Sequence, residues 1–593
     1  MKALRELTVH LTLRGPVLTK STAPSSFGVD AAAARHFRTG RPCLPGTLVK
    51  GKVREALGQL GETAVDLDRL FGGQPHDGGS DEPERGALKF EDLVAQANGR
   101  KASLHRVALD DTLGSAKGQM LRVIETPYLA GENVCFSGTA RCYADDDEAK
   151  KVATTLRLGL RWLVQAGSLR TTGFGRVLDA NVVLEPLAAP AQTVVISAAP
   201  LALELELRPQ GSLCIARHKI GDNLFESEDI IPGNMLAGAI METAKALGID
   251  GSLSGFEKIR FRHAFPTTGG DRPRAMPLST VKAGKIAYDI AGFRDPVLLA
   301  DDSGGFTAPA FPLDWKEHGD VLGKLGWALP SRELRVRTAI DSRKRTVDRG
   351  DGQGGRLFAW EVIHPVTDVG TDIVWRTRID LKAASDRAAM AKALVQVLTQ
   401  LGFVSKTKAR CEVKVTGVLQ ATSVPKLTNG QSLALVLQTP TLLADPRFQS
   451  VADVPKSGAL SADQMRALYR AAWSELSDDS LNLSHHFAQQ FLAGGNYLAR
   501  RFQKDRAYDP WLLTKEGSVF AFTVRDAAKA MKCLEDWLAT GLPLPTWAVH
   551  RYGTEWHRNP YRPENGFGEI AVHTAVFATP TTQPVNLAEP VLS

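Results

Sequence analysis

The segment Leu44-Pro-Gly-Thr-Leu-Val-Lys-Gly-Lys-Val-Arg54 decides the fold, because it recurs in altered form as Ile231-Pro-Gly-Asn-Met-Leu-Ala-Gly-Ala-Ile-Met241. In both copies Pro-Gly ends an extended run and precedes an amphipathic helix, since proline cannot donate to a strand ladder and glycine allows a tight bend. The repetition indicates that one supersecondary unit is used twice, so the chain is an array of related units.

Three further sequence blocks follow each copy of this segment in the same order. Such an ordered series is hard to obtain by chance, and it supports the duplication. The second copy is longer, with its extra residues mainly between Phe261 and Arg335. The blocks are a short basic strand (Leu88–Phe90 and Ile259–Phe261), an alternating segment (Arg106–Asp110 and Arg335–Asp341) and a loop that follows a helix (Gly167–Val177 and Gly402–Val413).

The length of 593 residues exceeds what one hydrophobic core supports, so about three domains are expected. Apolar runs of period two alternate with single amphipathic helices, which favours the α+β class. We predict a domain at 1–190 with a flexible insertion at 72–86, and a second at 191–425 with a long insertion at about 265–333. A third, divergent domain is predicted at 426–593, because it ends in Gly566-Phe-Gly568, as in Gly173-Phe-Gly175.

The composition is that of an ordinary globular protein. A net charge of +7 fits a polyanionic partner without requiring one. The six cysteines form no CxxC pair, which argues against a zinc site and a disulfide framework. No nucleotide-binding motif is present, so neither a nucleotide nor an organic cofactor is expected. The N-terminus has the pattern of a strand, and no apolar run reaches the ~18 residues of a membrane span, so we expect a cytoplasmic protein with no membrane partner.

The first Pro-Gly helix carries Lys50, Lys52 and Arg54. The N-terminal N–H groups of this helix are predicted to be free, which suits an anionic ligand. The alternative is that the three cations form an ordinary solvated helix face. Because a glycine-rich loop belongs to the same unit, we predict that the three side chains bind RNA.

That loop is Arg170-Thr-Thr-Gly-Phe-Gly-Arg176. Glycine permits close backbone approach, an aromatic ring can stack on a base, and the flanking cations suit phosphates. The glycines follow a helix, whereas a dinucleotide fingerprint follows a strand. The alternative is an ordinary helix–strand turn. We predict RNA contacts from Arg170, Thr172, Gly173, Phe174, Gly175 and Arg176. The second copy of the loop has Ala409 and Cys411 where the first copy has its two glycines.

Three other patterns have simpler explanations than chemistry. The acidic run Asp145–Glu148 opens a helix and is explained by capping. His485-His486 has no third ligand nearby and is interpreted as a packed or surface pair. The Arg100…His105 spacing is expected by chance in a chain with this many basic residues.

One stretch of the first predicted domain resembles the backbone subunit of type III CRISPR effector complexes, which belongs to the RAMP (repeat-associated mysterious protein) superfamily. The matching residues are Val29-Asp30, Arg35, Thr39-Gly40, Pro42 and Leu44–Arg54, and the register from Asp30 to Arg54 needs no gap. The stretches Arg69-Leu-Phe-Gly72 and Ala87-Leu-Lys-Phe-Glu-Asp92 are similar to the same subunit. From residue 201 onward the similarity is looser, as in divergent RAMP subunits. This chain departs from the pattern at Ala31–Ala34 and at His36.

The resemblance implies tandem ferredoxin-like, RNA-recognition-motif-like RAMP domains. It also implies binding to a CRISPR guide RNA and to complementary target RNA in antiviral defence, together with other type III effector subunits. Asp30 matches the position of the family's RNA-cleaving aspartate. There it would hold hydrated Mg²⁺ or another divalent cation, or orient the attacking 2′-hydroxyl. The alternative is a turn aspartate bonded to its own backbone.

Two other functions stay open at the level of sequence. One is a RAMP-type endoribonuclease that processes CRISPR repeat RNA, for which His36 or His10 would be recruited. The other is a non-catalytic scaffold subunit. The identity of metal-ligating residues is not determined by the sequence, since no second acid stands at a fixed spacing from Asp30.

Overall fold

The structure is a computed structural model. It describes residues 2–21, 28–73, 85–186, 199–220, 224–293, 297–312, 318–338, 357–402, 404–448, 460–503, 507–574, 576–577 and 583–584. Most of the predicted insertion at 72–86 and the predicted boundary near residue 190 lie outside these ranges. The three ranges 1–190, 191–425 and 426–593 are called units 1, 2 and 3 below, and as domains they stay a prediction.

Unit 1 contains one sheet with two long helices on it. The strand order is β2-β4-β7-β1-β8, with β3 also paired to β7. The core lies between the sheet and the helices, because alternate residues of β1 (Leu7, Val9, Leu11 and Leu13) are fully buried. The elements are β1 (Ala3–Arg14), β2 (Cys43–Leu44), α1 (Gly46–Gln59), α2 (Ala64–Phe71), β3 (Lys89–Phe90), β4 (Leu93–Ala95), β5 (Ser103–Leu109), β6 (Ala116–Glu125), β7 (Asn133–Ala144), α3 (Asp146–Arg161) and β8 (Arg176–Leu184).

Helix α3 begins as the acidic run predicts. The side chain of the N-cap residue Asp145 accepts a hydrogen bond from the N–H of Glu148, so the capping interpretation is confirmed. The helix ends at Arg161. The chain turns back there, because Val164 and Ala166 form backbone hydrogen bonds with the start of β8 instead of continuing the helix.

Unit 2 repeats this arrangement around β9. Its sheet has the order β12-β20-β9-β21, with β13 also paired to β20. Helices α4 and α6 cover the same buried face. The elements are β9 (Ala202–Pro209), β10 (Ala216–Ile220), β11 (Leu224–Ser227), α4 (Gly233–Leu247), β12 (Arg260–Phe261), β13 (Phe265–Thr267), β14 (Thr280–Ala283), β15 (Ile286–Asp289), β16 (Val297–Ala300), β17 (Phe306–Thr307), α5 (Gly319–Lys324), β18 (Arg332–Thr338), β19 (Leu357–Ile363), β20 (Val374–Asp380), α6 (Arg387–Leu398) and β21 (Cys411–Leu419).

Unit 3 has a third sheet with the order β23-β26-β22-β27. Its core contains the buried rings of Trp473, Phe520 and Trp537. The elements are β22 (Ser432–Leu437), α7 (Ala462–Ser477), β23 (Leu481–Phe487), β24 (Gln490–Ala493), α8 (Asn496–Phe502), β25 (Trp511–Thr514), β26 (Val519–Val524), α9 (Ala527–Thr540), α10 (Thr546–Tyr552), β27 (Ile570–Val572) and β28 (Gln583–Pro584).

The three sheets share one strand order. In each sheet the first strand of the unit (β1, β9 or β22) lies between the strand that precedes the last long helix (β7, β20 or β26) and the strand that follows that helix (β8, β21 or β27). The strand pairs in these sheets are antiparallel. The predicted α+β class is confirmed. No helix in the described ranges is long and apolar enough to cross a membrane.

The long insertion of unit 2 packs onto unit 3. Asp289 accepts a 2.6 Å hydrogen bond from His573, and the amide of Leu278 donates to the carbonyl of Gly517 at 2.8 Å. The pair His485-His486 lies at this contact: the His485 ring bonds to the carbonyl of Ala291, and burial lowers the pKa of His486 to about 4. The histidines are therefore packed, as predicted.

Both Pro-Gly helices begin where backbone lies against backbone. A β-carbon at Gly46 would lie 2.5 Å from the carbonyl oxygens of Phe90 and Glu91, and one at Gly233 would lie 1.8 Å from that of Phe261. In each copy, the helix start therefore packs directly on the short basic strand, and glycine is required for that approach.

We expect Gly233→Ala to destabilise the protein by about 1–3 kcal/mol, because the new methyl group overpacks a buried contact. Calorimetric melting of the purified protein measures the effect. The control is Gly238→Ala on the same helix, where a β-carbon meets nothing within 4 Å. That change should leave the melting temperature unchanged or raise it. Equal melting temperatures for the two variants would contradict the contact.

Candidate nucleic-acid interface

The N-terminus of α1 is already capped by a side chain of unit 1. The amide of Gly46 donates to Asp92 Oδ1 at 2.8 Å. In unit 2 the amide of Gly233 donates to His263 Nδ1 at 3.1 Å, in the equivalent place. The prediction of free N–H groups at this helix start is therefore wrong for Gly46, because a carboxylate from the strand side occupies the position of an anionic ligand.

The three predicted cations of α1 have different surroundings. Lys52 pairs with Glu55 at 2.7 Å, and Arg54 pairs with Asp68. Lys50 is half-buried and makes no ion pair with the described residues. Burial and the charge of Arg54 lower the pKa of Lys50. Of the three cations, Lys50 is therefore the one whose charge is not paired with a carboxylate of the described residues, so it can pair with an external anion.

Lys50 belongs to a group of cations at the contact between units 1 and 2. We call Lys50, Arg85, Lys89 and Lys408 the junction cluster. Lys89 lies on β3, and Lys408 comes from the loop between α6 and β21 of unit 2. Burial and the charges of Lys50, Lys408 and Arg85 lower the pKa of Lys89 to about 8, and burial and the charge of Arg85 lower the pKa of Lys408 to about 8.

The junction cluster has little neutralising charge in the described ranges. Arg85 and Lys408 share one carboxylate, that of Glu242, and the Lys408–Glu242 distance is 3.5 Å. Several cations held together at partial burial repel one another unless an anion joins them. The arrangement therefore suits a polyanion such as RNA. Sequence reasoning missed Lys89 and Lys408 as site residues, although each lies in a repeated block that the sequence does reveal.

The glycine loop of unit 1 forms a 3₁₀ turn at Arg170–Thr172. Gly173 has φ +86° and Gly175 has φ +66°, and a β-carbon at Gly175 would lie 1.9 Å from the carbonyl oxygen of Ala166. The side chains of Arg170, Thr172 and Arg176 are exposed. The loop therefore presents its polar residues outward, while Gly175 lies against the chain behind it.

Phe174 points inward, with 3% of its surface exposed. It packs with Leu18, Ala31, Ala33 and Ile124 in a small apolar cluster. The prediction that this ring stacks on an RNA base is therefore wrong, because protein covers both faces of the ring. Its contacts also place the glycine loop beside the segment that contains Asp30.

In unit 2 the corresponding loop has positive φ at Ser405 (+66°) and Lys408 (+55°), and Ala409 and Cys411 are not in that region. The sequence match that set Ala409 and Cys411 in the place of the two glycines is therefore wrong in register. The loop of unit 2 adopts the left-handed conformation at a lysine, which turns that lysine toward unit 1.

Asp30 is exposed and lies at the base of a hairpin made by β5 and β6. Its Oδ2 accepts a 2.7 Å hydrogen bond from the amide of Val123, and its own amide donates to the Val123 carbonyl at 2.9 Å. One carboxylate oxygen thus holds the hairpin, while the carboxylate as a whole stays accessible to solvent. In the ranges that the structure describes, no group of three His, Cys, Asp or Glu side chains is close enough to hold a metal ion.

The hairpin β5–β6 is a second exposed surface, which sequence reasoning did not identify as functional. The two strands pair only with each other among the described strands, and all residues of β5 are exposed. Leu109, Leu113 and Met120 are between 52% and 77% exposed. Such uncovered apolar side chains indicate a partner.

The candidate histidines have different settings. Burial lowers the pKa of His36, whose Nδ1 lies 3.3 Å from the hydroxyl of Thr39. His10 lies within β1, opposite Ser137 of β7. Neither histidine is joined to Asp30 by a hydrogen bond or ion pair in the described ranges.

Residues 10–178 match the family model of the RAMP superfamily. The match lies within unit 1, where the sequence itself resembles this superfamily, so that resemblance is confirmed.

Similar solved structures include a chain of the type III-B Cmr-beta complex bound to cognate target RNA, at 18% identity and a TM-score of 0.23. That match covers 31% of this chain and 61% of the other, so it spans less than two thirds of the Cmr-beta chain. A chain of a type IV-B CRISPR complex is similar at 14% identity and a TM-score of 0.22, over 32% of this chain and 95% of the other. No curated protein matches the chain.

We expect Phe174→Ala to cost roughly 3–5 kcal/mol of stability, the usual loss for a buried aromatic ring. Phe174→Leu keeps an apolar side chain in the cluster and should bind single-stranded RNA as the parent does. Melting temperature and a fluorescence-anisotropy titration measure the two effects. A clear loss of RNA affinity in a stable Phe174→Leu protein would restore the stacking role.

Proposed function

We propose that the protein is a guide-RNA-binding subunit of a type III CRISPR effector, built from three tandem ferredoxin-like RAMP domains. Support for the tandem comes from the strand order that the three sheets share and from the RAMP match of residues 10–178. Complementary target RNA and other effector subunits are the proposed partners, in a cytoplasmic complex of antiviral defence.

The observation that carries the proposal is the junction cluster. Phosphates are the ligands that such a cluster selects, because lysines at partial burial with little neutralising charge gain most from a charge-dense anion. Contacts to phosphates carry no sequence information, which suits a protein that must accept guides of any sequence. We propose further contacts to the sugar-phosphate backbone of the RNA from two places. They are the glycine loop, through Arg170, Thr172, Gly173, Gly175 and Arg176, and the paired cations Lys52 and Arg54 of α1.

Replacing Lys89 and Lys408 together with glutamine should weaken single-stranded RNA binding. It should also lower the salt slope by about 0.7 for each phosphate that the variant no longer neutralises. The control is Lys150→Gln with Lys151→Gln, two exposed lysines of α3. Anisotropy titrations at several salt concentrations measure both slopes. If both double variants bind as the parent does, the junction cluster is not the RNA site.

The same lysines should make RNA binding depend on pH. Their pKa near 8 means that both are mostly charged at pH 7 and release protons as the pH rises toward 9. RNA affinity should therefore fall across this window. Lys89→Arg with Lys408→Arg keeps the charge at pH 9 and should remove most of the dependence, since arginine does not deprotonate in proteins. An unchanged pH profile in that variant would contradict the assignment.

Asp30 is proposed to cut the bound target RNA. Its exposed carboxylate suits a Mg²⁺ ion held otherwise by water and by phosphates of the RNA, the usual form of Mg²⁺ sites. Alternatively, the carboxylate accepts the proton of the attacking 2′-hydroxyl. The scaffold alternative is supported by the hydrogen bond from Val123, which gives Asp30 a structural role by itself.

Asp30→Asn separates these roles, because the amide oxygen still accepts the hydrogen bond of Val123 while the charge is removed. We expect the variant, assembled with guide RNA and given complementary RNA and Mg²⁺, to bind the target as the parent does. It should leave the RNA intact at one position. Asp179→Asn, at an exposed site in β8, is the control. Cleavage at the parent's rate would return Asp30 to the scaffold role.

A further inference from the structure

One side chain of the β5–β6 hairpin holds the segment that follows Asp30. Glu125, the last residue of β6, accepts a 2.8 Å hydrogen bond from the amide of Ala33 through its Oε2. Its Oε1 pairs with the guanidinium of Arg35, and its own amide donates to the carbonyl of Ala31 at 2.9 Å. The Glu125 side chain is 13% exposed. Glu125 therefore bonds to alternate residues of the segment after Asp30.

The segment itself has few polar side chains with which to fix its position. Residues 31–33 are alanines, whose methyl groups pack against neighbours such as Ile124 but form no hydrogen bonds. Apolar contacts are not directional, whereas a hydrogen bond fixes the distance and the angle between its two groups. The amide of Ala33 is therefore the group through which a side chain can fix the direction of this main chain.

The strand that holds Ala33 also holds the carboxylate of Asp30. The amide of Val123, two residues before Glu125, donates to Asp30 Oδ2 at 2.7 Å. Both ends of the short stretch from Asp30 to Ala33 are thus attached to β6. A catalytic group must be held within about 0.5 Å of its productive position, which requires support from the residues around it. Val123 and Glu125 provide such support from one strand.

Unit 2 contains the same arrangement without the aspartate. Leu224 lies opposite Ala359 of β19 in a parallel pair, as Asp30 lies beside Val123. Two residues after Ala359, the carboxylate of Glu361 accepts from the amide of Ser227 at 2.9 Å and pairs with Arg332 at 2.6 Å. Ser227 follows Leu224 by three residues, as Ala33 follows Asp30. Glu361 is therefore the counterpart of Glu125, and leucine occupies the place of Asp30.

We propose that Glu125 is a positioning residue for Asp30. By holding the amide of Ala33, Glu125 keeps the segment after Asp30 on β6, and this keeps the Asp30 carboxylate in place for RNA cleavage. Both carboxylate oxygens of Glu125 are bonded to protein groups, so Glu125 acts on the reaction through Asp30. The inference rests on the cleaving role proposed for Asp30 and adds a residue on which that role depends.

Three substitutions of Glu125 separate the hydrogen bond from the charge. Glu125→Gln keeps an oxygen that accepts from the amide of Ala33. Glu125→Asp keeps the charge opposite Arg35, but its side chain is one methylene too short to reach that amide. Glu125→Ala removes both interactions.

The measurement is single-turnover cutting of saturating complementary RNA by the effector complex with guide RNA and Mg²⁺, at the position that Asp30→Asn leaves intact. We expect Glu125→Gln to cut close to the parent's rate. Glu125→Asp and Glu125→Ala should cut about tenfold or more slowly, because a misplacement of about 1 Å can cost about 100-fold.

Two readouts and two controls distinguish positioning from a general loss of structure. Target affinity, measured by fluorescence anisotropy, and melting temperature should change far less than the cutting rate, since Glu125 acts through Asp30. Glu361→Ala removes the corresponding bonds of unit 2 and should leave the cutting rate unchanged. So should Glu132→Ala in unit 1, which removes a carboxylate that joins the amide of Leu129 at 3.1 Å and Arg100 at 2.9 Å.

Each contrary result has a definite meaning. Cutting at the parent's rate by Glu125→Asp and Glu125→Ala overturns the proposal, and so does a loss of target affinity as large as the loss of rate. Equal losses in Glu125→Gln and Glu125→Ala also overturn it, because the ion pair with Arg35 would then be the interaction that matters. If Asp30→Asn cuts as the parent does, the proposed cleaving role itself fails. A cut that depends on Asp30 but not on Glu125 rejects the positioning role alone.

Discussion

The buried ion network around Arg262 fixes how units 2 and 3 meet. Arg262 contacts Asp380 of its own sheet at 2.7 Å and Glu569 of unit 3 at 2.6 Å. Burial alone would raise the pKa of Glu569, but Arg272 and Arg262 outweigh it and lower the pKa to about 2. Removing one member of such a network leaves a buried charge uncompensated, which costs about 3–5 kcal/mol. The orientation of unit 3, and with it the place of the Gly566 loop, depends on this network.

The two junctions use their charge differently, although they are built from the same elements. At the junction of units 2 and 3, the carboxylates of Asp380 and Glu569 form ion pairs with Arg262 and Arg272 within the protein. At the junction of units 1 and 2, the junction cluster has only the shared carboxylate of Glu242 among the described residues. An external polyanion therefore gains more at the junction of units 1 and 2. This asymmetry is the basis of the proposal that RNA binds at the junction of units 1 and 2, whereas the junction of units 2 and 3 is a closed protein contact.

The sequence predicted the structural features that depend on near neighbours in the chain and those that recur along it. The two Pro-Gly helices, the cap at Asp145 and the short basic strands follow from residue type and spacing, because each depends on neighbours a few positions away. The errors concern long-range contacts. Asp92 caps the helix at Gly46, and Phe174 is covered by Ala31 and Ile124. No spacing rule shows which distant residues meet, so neither the occupied anion site at the helix start nor the burial of the ring was predictable.

At the candidate site, the position of Lys408 was not predictable for the same reason. Its approach to Lys89 depends on the packing of unit 2 on unit 1. A repeat identifies equivalent elements, but the contact between successive elements exists only in three dimensions. Once that contact is known, the three equivalent loops are seen to differ in their surroundings: those of units 2 and 3 contact the preceding unit, whereas Gly173 of unit 1 is exposed.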